Sequence, residues 1–146
     1  MNRIYLILMA TLVLESISYL LWSIKQKIRV GIGDCIDIKG IKINPENILY
    51  INEGENMRVM EIIFMVSNES EKDFDRGAGD FGIIDLVGNK LGLCGRFENF
   101  WGEVLIGETL SGQGYYQVNE SEPNLLVYNL VDNRRKGVWI ISKVKK

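Results

Sequence analysis

Residues 57–68 read MRVMEIIFMVSN, and this stretch predicts the central strand of a β-sheet. Successive side chains of a strand point to opposite faces, so a period of two separates the faces. Near the centre of the stretch both faces are apolar, with Val59 and Ile63 on one and Met60, Ile62 and Phe64 on the other. We therefore expect a strand that has neighbours on both sides and one face in the core.

The chain on either side of this stretch keeps the same period and is divided by short turn signals. Apolar residues alternate with polar residues or glycine over 27–43, and the sequences NPEN at 44–47 and NEGEN at 52–56 predict turns. The sequence NESEKDFDRGAGD at 68–80 predicts a polar loop. The sequence FGIIDLVGNKLGLCG at 81–95 predicts a hairpin whose turn contains the Gly-Asn pair.

The last third of the chain predicts three more strands. Gly107 and Glu108 mark a turn before a strand from Leu110 to Val118, and LLVYNLV at 125–131 and GVWIISKV at 137–144 supply the other two. About eight short strands at intervals of roughly ten residues are typical of an immunoglobulin-like antiparallel β-sandwich. The predicted fold class is therefore all-β.

An apolar run, IYLILMATLVLESISYLLWSI, precedes the alternating pattern and covers residues 4–24. As a helix this run would extend about 31 Å, which matches the hydrocarbon thickness of a bilayer. We therefore expect one N-terminal apolar helix, which contacts the lipid bilayer through residues 4–24. The chain divides accordingly into a signal anchor or signal peptide at 1–25 and the sandwich domain at 26–146.

Glu15 lies near the middle of the apolar run and leaves three interpretations open. An acidic residue at the bilayer centre costs about 3 kcal/mol, which the apolar neighbours can outweigh in an uncleaved anchor. In a cleaved signal, the residues from Ser16 to Ser18 would supply a poor small-residue cleavage site. In a minor pilin-like assembly component, Glu15 would place the N-terminal helix among neighbouring subunits.

The composition disfavours several functional classes. The chain has no histidine, which removes the commonest general base, the commonest zinc ligand and the Ser-His and Cys-His nucleophile pairs. The net charge is −2, and the basic residues fall in short separate groups, so DNA or RNA binding is disfavoured. We therefore predict a protein that is not an enzyme, uses no cofactor and binds no nucleic acid.

Three motifs lie at turns and strand ends of the predicted sandwich: NES at 68–70, FGIIDLVG at 81–88 and LIGETLSG at 105–112. They resemble a family of bacterial cell-envelope domains of unknown function, related to the secreted mycobacterial immunoprotective antigen. The family pattern is a strand that closes in Asn-polar-Ser, then Phe-x-Leu-x-Asp-x-x-Gly, then Leu-Pro-Gly-Glu-x-x-x-Gly. The matching residues are Asn68, Glu69 and Ser70, then Phe81, Ile83, Asp85 and Gly88, and then Leu105, Gly107, Glu108 and Gly112, with Ile106 in place of the proline.

The resemblance covers roughly residues 30–142 and implies an immunoglobulin-like sandwich in the cell envelope. Its motifs are turn and strand signatures, so they imply a fold and no activity. The same residues also support a structural interpretation, in which the glycines allow turns and Asn68 ends a strand. In that interpretation Leu105, Leu110 and Val118 are core residues.

Three groups of residues are candidate sites. Phe97, Phe100, Trp101, Tyr115 and Tyr116 would form an aromatic binding patch if their two segments adjoin, although most aromatics of a sandwich are core. The carboxylates of Asp73, Asp75 and Asp80, with Asp85 nearby, would suit calcium, although their spacing fits no known loop and a solvated loop is the alternative.

Cys35 and Cys94 form the third group. A disulfide between them would close a loop of about 60 residues, worth roughly 4 kcal/mol, in an oxidising compartment. The alternative is two buried free thiols.

These features predict a membrane-tethered module at the cell membrane, with an extracytoplasmic body that binds a protein or a cell-surface ligand. By the positive-inside rule, the basic residues that flank the apolar run slightly favour an orientation with the body in the cytoplasm. The family resemblance implies the outward orientation, which we adopt. The alternative function is the pilin-like assembly component.

Overall fold

Eleven β-strands make up most of the chain that the computed structural model describes, which comprises residues 29–128 and 137–141. The strands are β1 Arg29–Gly31, β2 Ile36–Ile38, β3 Ile41–Asn52, β4 Arg58–Asn68, β5 Phe74–Gly77, β6 Phe81–Asp85, β7 Lys90–Leu91, β8 Trp101–Val104, β9 Thr109–Gln117, β10 Pro123–Tyr128 and β11 Gly137–Ile140. A 3₁₀ turn at Ala78–Asp80 connects β5 to β6. The predicted all-β class is confirmed.

The predicted helix at residues 4–24 lies outside the described residues, as do residues 1–25 as a whole. Within the described part of the chain, no helix has both the length and the apolar character needed to cross a bilayer.

One sheet has the order β2-β3-β4-β9, and β4 is an inner strand, as its sequence predicts. Its neighbours are both antiparallel, and the register places Leu49 and Tyr115 on either side of Glu61. The even-numbered residues from Met60 to Asn68 are buried, whereas the other face is more exposed toward Met65. The alternation at 58–68 therefore gives one face to the core.

A second sheet has the order β1-β11-β10-β6-β7 and packs against the first to form the sandwich. Its strands pair antiparallel except for β1, which is parallel to β11. The predicted hairpin between β6 and β7 is confirmed, with Ile83 opposite Leu91 and Gly88 at a φ of 93°. A small third sheet consists of β5 and β8.

The core lies between the two large sheets and is rich in aromatic rings. The Phe64 and Phe81 rings of the facing sheets have centroids 4.3 Å apart, and Tyr128 and Trp139 lie 5.1 and 6.3 Å from Phe81. Burying a side chain of this size stabilises a fold by about 1.5–3 kcal/mol. The sandwich is therefore joined at its centre by ring contacts between β4 and β6.

Two turn predictions are wrong in part. The NPEN sequence does not break the strand, because β3 continues through it with a register shift between Pro45 and Asn47. Proline is tolerated at such a bulge, where the ladder lacks one hydrogen bond. The predicted polar loop at 68–80 contains β5, which forms because residues 74–77 pair with β8.

The three predicted core residues have different outcomes. Val118 is buried and Leu110 packs against the core, but Leu105 is exposed because it belongs to the turn after β8. That turn closes with a hydrogen bond from the Glu108 N–H to the Leu105 carbonyl, and Gly107 has a φ of 79°. The geometry matches a type II turn, in which a residue with positive φ is required at the third position.

Candidate binding surface

The structure divides the five aromatic residues that the sequence groups into one patch. Phe100, Tyr115 and Tyr116 are buried, whereas Phe97 and Trp101 are exposed. The three buried rings stabilise the fold, so a recognition role is limited to the two exposed ones. Phe97 and Trp101 are four positions apart, which separates their Cα atoms by at most about 14 Å.

Phe100 fixes the segment that carries both exposed rings. Its N–H donates to the Gln113 carbonyl at 2.8 Å, and its carbonyl accepts from the Ala78 N–H at 2.9 Å. Its side chain packs over Gly112, where an added Cβ would lie 2.2 Å from the Phe100 Cβ. The lack of a side chain at Gly112 therefore leaves the space that the Phe100 side chain occupies.

Tyr115 contacts the chain on both sides of Phe97. Its N–H donates to the Asn99 Oδ1 atom at 2.8 Å, and the Arg96 guanidinium lies 4.6 Å from the centre of its ring. Arg96 also forms an ion pair with Glu53 at the end of β3. Burial raises the pKa of the Tyr115 phenol, so this ring stays neutral at physiological pH.

Trp101 lies on the outward face of the small β5–β8 sheet. It is directly opposite Gly77, and Asp75 is directly opposite Glu103. Opposite residues of an antiparallel pair point to the same face. The side chains of Asp75, Trp101 and Glu103 therefore share one solvent-facing surface, which we call the Trp101 face.

Gly77 allows the indole of Trp101 to lie close to the strand. A Cβ added at Gly77 would be 3.2 Å from the Trp101 Cδ1 atom and 2.8 Å from the Phe100 carbonyl oxygen. Trp101 nevertheless remains 77 % exposed. The ring therefore rests against Gly77 on one side and presents most of its surface to solvent.

The other face of the β5–β8 sheet points into the protein and contains the one arginine of these two strands. Arg76 donates from Nε to the Tyr128 hydroxyl, and its guanidinium lies 5.0 Å from the centre of the Phe74 ring. Burial raises the pKa of Tyr128, and the nearby Arg76 charge opposes that rise. Because Arg76 is engaged on this side, its charge does not lie beside Asp75 and Glu103.

Asn68 positions β8 from within the sandwich. Its side-chain Nδ2 donates to the carbonyls of Val104 and Lys72 at 2.9 and 2.8 Å, and its Oδ1 accepts from the N–H and hydroxyl of Ser70. The residue is fully buried. The sequence indicated Asn68 as a strand end, but the link to β8, 36 residues away, has no local sequence signal.

The three predicted calcium ligands do not converge. Asp73 accepts a hydrogen bond from the Ile106 N–H at 2.8 Å, and Asp80 accepts one from the Gly77 N–H at 2.8 Å. Asp75 points outward from β5 on the Trp101 face. No group of three or more His, Cys, Asp or Glu residues suited to a metal ion exists in the described part of the chain.

Cys35 and Cys94 are both free thiols in this structure, and only Cys94 is partly covered. Strands β2 and β9 are the two edges of the sheet β2-β3-β4-β9. Cys35 lies just before β2, whereas Cys94 lies beside β9, where its N–H donates to the Tyr115 carbonyl. The disulfide considered from the sequence is therefore not formed. The expected burial of two free thiols is wrong for Cys35, which is exposed.

Two shallow cavities of about 360 and 260 Å³ lie at the end of the sandwich opposite to the β5–β8 sheet. The larger one contains Asp85, whose carboxylate accepts hydrogen bonds from the Val87 N–H and from Asn89. Burial raises the pKa of Asp85, but these hydrogen bonds outweigh burial and hold the pKa below its usual value. This carboxylate therefore caps the β6–β7 turn and is already satisfied.

No protein-family model matches the chain, and no curated protein matches it. A secreted protein from Mycobacterium tuberculosis, MPT63, has a similar structure, with a TM-score of 0.61, 12 % identity and coverage of 78 % of this chain and 97 % of its own. The ycdA protein of Bacillus subtilis, a candidate lipoprotein, gives a TM-score of 0.63 at 10 % identity, over 77 % of this chain and 39 % of its own.

An uncharacterised β-sandwich protein from Clostridium difficile gives a TM-score of 0.53 at 13 % identity, over 78 % of this chain and 93 % of its own. Likeness at such identities concerns architecture. The chain therefore shares a β-sandwich fold with these proteins.

Proposed function

We propose that this chain is a non-enzymatic binding module whose sandwich acts outside the cytoplasm and is tethered to the cell membrane through residues 4–24. The observation that carries the binding role is the Trp101 face. A large ring exposed on a sheet, with charged groups beside it, is a common feature of recognition surfaces. The binding partner is a protein or another cell-surface ligand.

The lack of histidine and the structural roles of two buried titratable groups support binding more than catalysis. The chain has no histidine, and the buried carboxylate of Asp85 is satisfied by the turn that it caps. Tyr116, a second buried titratable group, donates its hydroxyl to the Ala78 carbonyl at 2.9 Å, and burial strongly raises its pKa. Both groups stabilise the fold, whereas Asp75, Trp101 and Glu103 are exposed to solvent.

Three features support the proposed location. The apolar run at 4–24 has the length of a bilayer span, and it precedes a sandwich of the same architecture as a secreted mycobacterial protein. A family of extracytoplasmic domains is also what the sequence motifs resemble. The outward orientation and the immunoglobulin-like subtype are parts of this proposal.

Protease treatment of intact cells tests the location. We expect the body to be digested from outside while a fragment that contains residues 4–24 stays with the membrane. A body that resists protease in intact cells and is digested only after lysis would reject the outward orientation.

Photo-crosslinking in intact cells tests the binding role. A photoreactive phenylalanine analogue at Phe97, within about 14 Å of Trp101, should give an adduct that Trp101→Ala removes. The same analogue at Val87, another exposed position at the other end of the sandwich, serves as the control. Equal adducts at both positions, or none at Phe97, would contradict a binding role for this surface.

A further inference from the structure

The Trp101 face contains two negative charges that the fold places directly opposite each other. Asp75 and Glu103 form a cross-strand pair in the β5–β8 ladder, and both side chains are exposed. The Cβ atoms of such a pair are about 5 Å apart, and like charges at that distance destabilise the sheet. A pair of this kind is a cost to folding unless a cation lies between the carboxylates.

No cation of the described chain fills that position. The ion pairs found in residues 29–128 and 137–141 are Lys42 with Glu69 and Arg96 with Glu53. The nearest arginine in sequence, Arg76, points to the other side of β5 and donates to Tyr128. The negative potential of the two carboxylates is therefore directed at solvent.

Trp101 lies next to this pair, two positions from Glu103 on the same face. An indole is the most favourable aromatic ring for a cation within about 6 Å of its centre. The Trp101 indole has the backbone of Gly77 on one side and leaves most of its surface available to a ligand. The surface thus combines an exposed indole with two carboxylates that no cation of the described residues neutralises.

We infer that the Trp101 face docks a basic segment of a partner protein, with a lysine or arginine stem on the indole and its charged head between Asp75 and Glu103. This inference rests on the proposed binding function and names the chemistry of its partner. Lysine and arginine suit the surface because their apolar stems cover a ring while their heads remain polar. The charge also disfavours acidic partners and anionic surfaces.

A fluorescein-labelled peptide of six arginines, titrated against the full-length chain in a neutral detergent, tests the inference by fluorescence anisotropy. We expect Asp75→Asn with Glu103→Gln to weaken binding about ten-fold, from the loss of two charge contacts. Trp101→Ala should weaken it several-fold, and Trp101→Phe should retain part of the affinity.

The control is Glu55→Gln with Glu120→Gln, which changes the net charge by the same amount at the opposite end of the sandwich, where both residues line one cavity. This variant should change the affinity less than two-fold, because exposed charges farther apart than about 10 Å are screened at 0.1 M salt. Equal losses in the two double variants would show general charge attraction and overturn the inference.

The crosslinking experiment separates this inference from the proposed function. An adduct at Phe97 that disappears in the Asp75→Asn, Glu103→Gln variant supports both. An adduct that persists in that variant retains the binding function and overturns the basic partner. Dimers of the full-length chain that Trp101→Ala dissolves, measured by sedimentation, would assign the face to a second copy and overturn the inference too.

Discussion

The side-chain amide of Asn68 donates to the backbone carbonyl of Val104 across 2.9 Å, inside the sandwich. This bond joins the end of β4 to the end of β8. Asn68 also donates to the Lys72 carbonyl and accepts from the Ser70 N–H. The central sheet therefore supports the small sheet that carries the Trp101 face. A buried residue with all its hydrogen-bonding groups satisfied contributes both stability and position.

Replacing Asn68 by alanine should destabilise the protein by about 2–4 kcal/mol, because buried carbonyls lose their donor. Urea denaturation followed by tryptophan fluorescence measures the change. Ser70→Ala is the control, since it removes only hydroxyl contacts at the edge of the network and should cost about 1 kcal/mol. Equal effects of the two changes would contradict the central role of Asn68.

Gly112→Ala should destabilise the protein by about 1–3 kcal/mol or more, because the new methyl group overlaps Phe100. Gly92→Ala is the matched control, since no atom lies within 4 Å of its Cβ position. The thermal midpoint should fall for the first variant and stay almost unchanged for the second. Two unchanged midpoints would mean that Phe100 does not pack on β9.

Ile106→Pro should stabilise the protein by different amounts in two backgrounds. Proline suits the second position of the type II turn and stabilises by about 0.4–1 kcal/mol through the unfolded chain. In this chain, however, the Ile106 N–H donates to Asp73, and proline removes that donor. We expect little or no gain in the natural sequence and the full gain with Asp73→Ala, measured as a double-mutant cycle. Independent effects would contradict the coupling.

Protonation of Asp85 should contribute to a loss of folding stability in acid. Its folded pKa is lowered from the ordinary 3.8, so the stabilisation that it gives is present above that value and is lost as the pH falls through the folded pKa. The difference in thermal midpoint between the natural protein and Asp85→Asn should therefore be largest above about pH 4 and shrink toward pH 2. A difference that stays constant with pH would contradict the lowered pKa.

The two thiols should react at different rates with iodoacetamide under native conditions. Cys35 is exposed, whereas Cys94 is partly covered and burial raises its pKa, which lowers its thiolate fraction. Peptide mass mapping at successive times should show Cys35 alkylated first. Preferential labelling of Cys94, or protection of both thiols until a reductant is added, would contradict the arrangement.

The parts of the fold that follow a regular period could be predicted from the sequence. Alternation at 57–68 predicted an inner strand, and the Gly88 turn predicted the β6–β7 hairpin. The bulge at Pro45 could not be anticipated, because the same residues that favour turns are tolerated at bulges. Strand β5 was missed because its four residues are polar or mixed and need β8 to form.

The candidate site was only partly accessible for the same reason. The sequence placed Trp101 among the candidate binding residues, but it did not show that Trp101 is exposed and Phe100 is buried. Phe100 lies in the irregular segment before β8, where no period of two distinguishes the faces. Asp75 and Glu103 are 28 positions apart in the sequence, and only the register of β5 against β8 places them opposite each other. Only the paired backbone shows which side each carboxylate occupies.

The long strand β3 has a further consequence for how the protein behaves when crowded. Its pairing with β2 involves only residues 41–43, and in the described part of the chain no other strand flanks it opposite β4. Beyond Pro45 the uncharged sequence NILYIN forms a strip of backbone whose outer edge has no strand partner among the described residues. Such a strip is a template on which extended peptides can grow the sheet, with the bulge at Pro45 as the interruption that limits its length.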